Sequence, residues 1–257
     1  NAPADTVLAF SLSANDTGGF CECDRCKAVG NVSARMLHFA NAIARKLHTT
    51  HPGRFLMTFL AYWHSHGPPV PLIRAEPGVC VMLVNEGDHT KPLDQPESAE
   101  HVAGTGRNNT RERAAIRDWQ RTGGLHGTYE WWIPAIGNAI WKDMPWYSGE
   151  TALRNLRFWN RGGVKYVFYE SQGEHNGGFP IRWPQYYLAA RGMWDPSLTA
   201  DQIMAEACAK LYGASAAPMR SYYAVFERAM LATGERGGNW HLPSPELIYT
   251  APVEREA

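Results

Sequence analysis

The feature that most constrains this chain is a repeated order: a short apolar run, an abrupt polar cluster, then a stretch of helical periodicity. Apolar runs at 6–12, 55–62, 79–84, 125–131 and 164–169 have the length and composition of buried strands. Such fully apolar runs suit parallel strands, which are covered on both faces. Between them lies an expected helix at 31–48, with a stripe at 32, 36, 39, 40, 43, 44 and 47, followed by helices at 111–121 and 150–160. Alternating strand and helix predict an α/β fold of parallel β/α units with a helical region after them. Five strands cannot close an eight-stranded barrel, so either three strands lie upstream of residue 1 or the sheet is open.

Beyond Trp183 the pattern is helical, at 184–193, 199–212 and 215–231. Thr199 and Gln202 stand at capping-box spacing, and Ser148 is placed to cap the helix at 150–160. The expected organisation is a β/α segment with strand-end loops over 1–183, a helical region over 184–235 and an irregular tail over 236–257.

Composition matters mainly for what it excludes. Twenty-five basic residues balance twenty-five acidic ones, which removes any global field toward nucleic acid or an anionic membrane. No run reaches the roughly 18 apolar residues of a membrane span, and the first residues lack the parts of a signal peptide. Ten Trp, eleven Tyr and nine Phe, many just after the apolar runs, are the kind of rings on which the apolar faces of sugars stack.

In parallel α/β folds, binding groups sit on loops beyond the carboxyl ends of strands. Four such ends carry a carboxylate here: Asp16, Glu86, Glu130 and Glu170. Glycoside hydrolysis needs one carboxylic acid and a second carboxylate about 5 to 9.5 Å away, which makes these four the candidate catalytic residues. The preferred assignment is Asp16 as acid with Glu130 or Glu170 as partner. Asn15, Trp63, His64, Asn85, His89, Trp131, Trp132, Tyr169 and His175 are the candidate substrate-binding residues. Each carboxylate also has a structural reading: a turn cap at Asp16, a loop support at Glu86, or pairing of Glu130 and Glu170 with arginines such as Arg182.

Cys21, Cys23 and Cys26 stand at metal-ligand spacing. They fit a structural zinc, a redox disulfide, or reduced and buried thiols that shape the loop, the last being the expected state. Otherwise no cofactor is expected. His64, His66, His89 and His175 also follow strands, and with Glu86 they suggest a metal-dependent hydrolase as a further alternative.

Four blocks carry a family resemblance: Ser-Ala-Asn-Asp-Thr-Gly-Gly-Phe-Cys-Glu-Cys-Asp-Arg-Cys, Val-Met-Leu-Val-Asn-Glu-Gly, Pro-Trp-Tyr-Ser-Gly-Glu, and Glu-Ser-Gln-Gly-Glu-His-Asn-Gly-Gly-Phe-Pro-Ile-Arg-Trp-Pro. From about residue 6 to 232 the chain resembles bacterial proteins of domain-of-unknown-function family 4838. That family is similar to barrel glycosidases, notably α-glucuronidases and family 20 hexosaminidases. The resemblance implies an α/β fold of the (β/α)8 TIM-barrel type, of which this chain carries the later strands, four to eight, and the following helices. It also implies a glycan or oligosaccharide partner, a polysaccharide-degrading bacterium as source, and a periplasmic or secreted location. Family 20 enzymes place an Asp-Glu pair where this chain has Asn15-Asp16, a departure that weighs against substrate-assisted hexosaminidase chemistry. The expected function is therefore a glycoside hydrolase, with a non-catalytic carbohydrate-binding barrel as the alternative.

Overall fold

The structure, a computed structural model, describes residues 7–16, 18–53, 55–97, 108–131, 145–170, 179–237 and 243–256. Among them five strands form one parallel sheet in chain order: β1 (Leu8–Ser11), β2 (Phe55–Ala61), β3 (Val79–Val84), β4 (Leu125–Glu130) and β5 (Tyr166–Tyr169). Leu8 pairs with Phe55, Met57 with Val79 and Val81 with Leu125, all in parallel, and the β3–β4 register shifts by one residue between Val81 and Met82, which pairs with Gly127. The helices are α1 (Asp24–Val29), α2 (Val32–Thr50), α3 (Asn109–Gln120), α4 (Gly149–Arg161), α5 (Phe179–Trp194), α6 (Ala200–Tyr212), α7 (Ala216–Ala232), α8 (Pro245–Ile248) and α9 (Ala251–Glu256). No helix among the described residues is long and apolar enough to cross a membrane. The chain divides into two compact units: residues 1–85, 112–129 and 163–168, and residues 86–111, 130–162 and 169–257.

The core of the first unit is β2 and β3. In β2 burial alternates, with Phe55, Met57, Phe59 and Ala61 covered, whereas β3 is buried at every residue but Met82. Trp119 of α3 is fully buried edge-on to Phe59 and donates its indole N–H to the His66 carbonyl at 2.8 Å. Helix α2 packs through Ala34, Leu37, Ala40, Asn41 and Ala44. That face is rotated from the predicted stripe and leaves Phe39 exposed. Small alanines permit close approach to neighbouring backbone, and Asn41 is drawn inward because it donates to the Arg74 carbonyl (2.7 Å) and accepts from the Glu76 amide (2.9 Å).

Asn31 caps α2, accepting from the Ala34 amide at 2.9 Å. The same side chain holds the loop after β2 by donating to the Pro68 carbonyl and accepting from the Val70 amide. β1 departs from the expected buried strand. It lies at the sheet edge with one neighbour, and Leu8 and Phe10 remain exposed; β5, at the other edge, exposes Tyr166 and Phe168.

The second unit is built on α4 to α7. Leu153, Leu156 and Trp159 of α4, Leu188 of α5, Ile203 and Met204 of α6, and Phe226 and Met230 of α7 are all buried. The Thr199–Gln202 capping box starts α6. Ser148 is the N-cap residue of α4, but it makes no side-chain capping bond: its amide and hydroxyl are both engaged by Gln185. The tail carries the two short helices α8 and α9, and Tyr249 there packs edge-on to Phe226 and donates to the Pro145 carbonyl.

Gly30 joins α1 to α2 at φ +126° and ψ −159°, a region that side chains other than glycine's do not tolerate, and a Cβ there would lie 2.2 Å from the Val70 carbonyl oxygen. Gly30→Ala is expected to lower stability by at least about 2 kcal/mol, read as the shift of the urea midpoint.

Candidate functional site

In the first unit a polar and aromatic constellation forms where the segment after β1 meets the one after β2. The chain leaves β1 at Ser11, and the Leu12 amide donates to the Thr58 carbonyl at 2.7 Å. The Ser13 hydroxyl accepts from the Leu60 amide at 3.1 Å. These bonds carry the irregular segment alongside β2 and bring Asn15 and Asp16, both exposed, beside the residues that follow Ala61. The Tyr62 hydroxyl donates to Asp16 Oδ1.

Trp63 and His64 follow in a single 3₁₀ turn. Trp63 holds φ at +49°, a left-handed conformation that is rare and costly for a bulky residue. The strain is held by a capping arrangement in which Tyr62 and Ser65 satisfy one another's backbone. Its result is that the indole stays 54% exposed, with the His64 ring 4.3 Å away at 33°. Phe20 meets His64 edge-on at 5.8 Å, so the segment after Asp16 closes the side of this surface. An exposed indole beside a carboxylate can accept the apolar face of a sugar and bind its hydroxyls.

Of the predicted site residues, Asn15, Asp16, Trp63 and His64 are therefore brought together in this unit. His66 is not part of the surface: its Nε2 lies 3.0 Å from a buried Glu112 oxygen on α3. Asn85 is buried at the end of β3, where its amide donates to the Tyr129 carbonyl.

The second unit holds another group. Glu130, the last residue of β4, is completely buried and accepts from the Trp159 indole N–H of α4. The Glu170 amide donates to the Glu130 carbonyl at 3.2 Å, and both Glu170 and Trp131 are half-buried. The Tyr169 hydroxyl is enclosed, and burial, with Tyr186 and Glu130 adding to it against Arg182, pushes its pKa far above the ordinary value. Glu130, Tyr169 and Arg182 thus share one buried polar neighbourhood.

Glu86 is half-buried and His89 is buried, the His89 amide donating to the Gly237 carbonyl. Asp88, between them, accepts from the Thr90 amide and hydroxyl and from the Gly237 amide. This segment is organised by hydrogen bonds of its own. Trp132 and His175 lie outside the described residues.

Cys21 and Cys23 are exposed and Cys26 half-buried, all three as free thiols, which corrects the expectation of buried cysteines. They precede and open the short helix α1, none of whose residues is buried. Their sulfur atoms lie within 4.8 Å of one another, and among the described residues they are the group gathered tightly enough for one metal ion. Hydrogen bonds, first from the Cys26 amide and then from the Cys21 and Cys26 thiols, bring Cys23 down to about 7, while the neighbouring Cys21 and Cys23 push Cys26 up to about 11. The His64, His89 and Glu86 set proposed for a metal hydrolase does not appear as such a group.

Two features escaped sequence reading. Tyr62 reads as the last residue of an apolar run, and only its bond to Asp16 reveals it. Glu227 sits in an ordinary helical stripe, yet it lines a cavity of about 290 Å³ in the second unit with Tyr147, Glu150, Tyr223 and the ion-paired Asp201 and Arg220. Burial pushes the Glu227 carboxyl up to about 7, against the lowering effect of the Glu150 amide that donates to it.

The chain belongs to the family described as Domain of unknown function (DUF4838), whose model matches residues 2–224. No curated protein and no solved structure matches the chain.

A carboxyl raised above its ordinary 4.5 binds more protons in the folded than in the unfolded chain between about 4.5 and 7. Its contribution is complete below 4.5 and is lost as pH rises through 7. Comparison of urea midpoints at pH 4.5 and 7.5 is expected to show Glu227→Gln removing a destabilisation of roughly 1 to 3 kcal/mol at the higher pH, with little difference from wild type at the lower.

Proposed function

We propose that this protein is a carbohydrate-active enzyme, a glycoside hydrolase that engages its glycan through the surface after β1 and β2. The observation that carries the reading is the exposed Trp63, held at a strained backbone angle on His64, beside the Asp16–Tyr62 hydrogen bond. Strained residues cluster at functional sites, and here the strain keeps a large apolar ring facing solvent, where it costs free energy unless a ligand covers it. In this reading Trp63 stacks on a sugar ring, His64 and Asn15 bind hydroxyls, and Asp16 is the acid that faces the glycosidic oxygen.

Hydrolysis by this chemistry requires a second carboxylate. Glu130, Glu170 and Glu86 are the candidates, because each stands at or just past the carboxyl end of a parallel strand. Glu130 has the environment of a preorganised group: it is shielded from water, with the Trp159 indole fixing one oxygen. Asn85, His89, Trp131, Trp132, Tyr169 and His175 are the further glycan-binding residues of this proposal, on their sequence positions after strands.

The proposal includes a TIM-type barrel. Its support is the run of five parallel strands in chain order, with α2, α3 and α4 in the crossovers, an arrangement that a (β/α) barrel shares. A non-catalytic glycan-binding protein is the second reading, favoured by the complete burial of Glu130. A bacterial periplasmic or extracellular location accords with a polysaccharide substrate.

A panel of aryl glycosides and uronides tests the enzyme reading. Turnover is expected to fall by about 10²- to 10⁴-fold in Asp16→Asn and in Glu130→Gln. Turnover that survives both substitutions overturns the assignment, and binding without turnover selects the second reading. Trp63→Ala is expected to weaken glycan binding about tenfold, measured by isothermal titration, with the urea midpoint unchanged.

A further inference from the structure

We propose that Cys21, Cys23 and Cys26 form a zinc site, three thiolates with an exogenous fourth ligand, which fastens the segment that presents Asn15 and Asp16. The site stands whether or not the chain acts on glycans. Its first support is distance. The three sulfur atoms lie within 4.8 Å of one another. Thiolates about 2.3 Å from a tetrahedral zinc stand about 3.8 Å apart, so side-chain adjustments of roughly an ångström suffice to close the site. Among the described residues no histidine or carboxylate joins the three, which leaves the fourth position to water or another small ligand.

The second support is how the backbone is held. Among the described residues of 12–23 none is in a helix or strand. From Cys21 to Gly30 the segment is pinned to α2 by Arg35, whose Nη1 donates to the Cys21 carbonyl and whose Nε donates to the Gly30 carbonyl at 2.9 Å. Cys23 is the N-cap residue of α1 and Cys26 lies in its first turn, three residues on, while Cys21 stands in the segment just before. The convergence of the thiols is therefore built into the backbone.

The third support is charge. Zinc with three thiolates carries a net charge of −1. Arg25 and Lys27 of this segment, with Arg35 of α2, outnumber Glu22 and Asp24 by one charge, Lys27 and Arg35 both lying about 4 Å from Glu22, so the surroundings of the thiols carry a net +1 to set against it. Binding releases one proton for each thiol not already ionised. A disulfide between any two of the cysteines leaves the third unpaired, whereas one zinc employs all three. Cys80 and Cys208 are buried and take no part in the cluster.

A bound ion would add an anchor to a segment that the Ser13 bond to Leu60, the Tyr62 bond to Asp16, the Phe20–His64 contact and the Arg35 bond to Cys21 also hold. The test uses the full chain, purified under reducing, oxygen-free conditions. Elemental analysis is expected to find one zinc per chain, and cobalt(II) replacing it is expected to give sulfur-to-metal charge-transfer absorption in the near ultraviolet. Cys21→Ser, Cys23→Ser and Cys26→Ser should each lose stoichiometric binding, whereas Cys208→Ala should keep it. As a check independent of substitution, adding zinc to the chelator-treated wild type should slow amide exchange over residues 18–30. No retained zinc and no cobalt absorption, metal retained by the triple serine variant, or a disulfide in the anaerobic protein would each overturn the proposal.

Discussion

The parallel pairing of β2 with β3, from Met57 opposite Val79 to Ala61 opposite Leu83, is the constraint on which the rest depends. Parallel neighbours cannot be joined by a tight turn, so the chain must cross back before each new strand. Every strand then points the same way, and the chain emerges from each at its carboxyl end. The burial of nearly all of β3 and of one face of β2 fixes this register, because a slip by one residue would turn Phe55, Met57 and Phe59 away from the core. Tyr62, Trp63 and His64 owe their position to it, as they begin where Ala61 ends.

Polar side chains then hold the connections. In the first unit Asn31, the exposed cap of α2, and Asn41, buried on it, each satisfy backbone groups of the crossover that leads to β3. Asn109 acts in the second, donating to the carbonyls of Asp88, Lys91 and Pro92 while accepting from the Asp88 amide. An unpaired amide or carbonyl in such a place costs about 1 to 3 kcal/mol, so these asparagines shape loops that have little apolar content of their own. Glu130 is held differently: a carboxylate in a dry site with an indole N–H on one oxygen is oriented by its surroundings.

Much of the fold was legible because the signals were local. The apolar runs gave all five strands to within a few residues, and the capping pair Thr199 and Gln202 marked the start of α6. What was not legible depended on neighbours far along the chain. The face of α2 was misjudged because Asn41, polar by itself, is buried by its bonds to residues 74 and 76, while Phe39 is left outside. The apolar content of β1 suggested burial, but its edge position decided otherwise. At the candidate site, Asp16, Trp63 and His64 were legible from their positions after strands. Tyr62 was not, because a tyrosine closing an apolar run looks like core until a carboxylate is seen beside it. Glu227 gave no signal, since its environment is made by α4, α6 and the residues before α4.

The central claim is that the strained, exposed Trp63 and the Asp16 held by the adjacent Tyr62 form the glycan-contacting surface. A crystal structure of the protein soaked with an oligosaccharide selected from the substrate panel tests it most directly. The account predicts a sugar ring stacked on the Trp63 indole, with a sugar or glycosidic oxygen within hydrogen-bonding distance of Asp16. A bound oligosaccharide that leaves Trp63 uncovered and touches neither Asp16 nor His64 would contradict it.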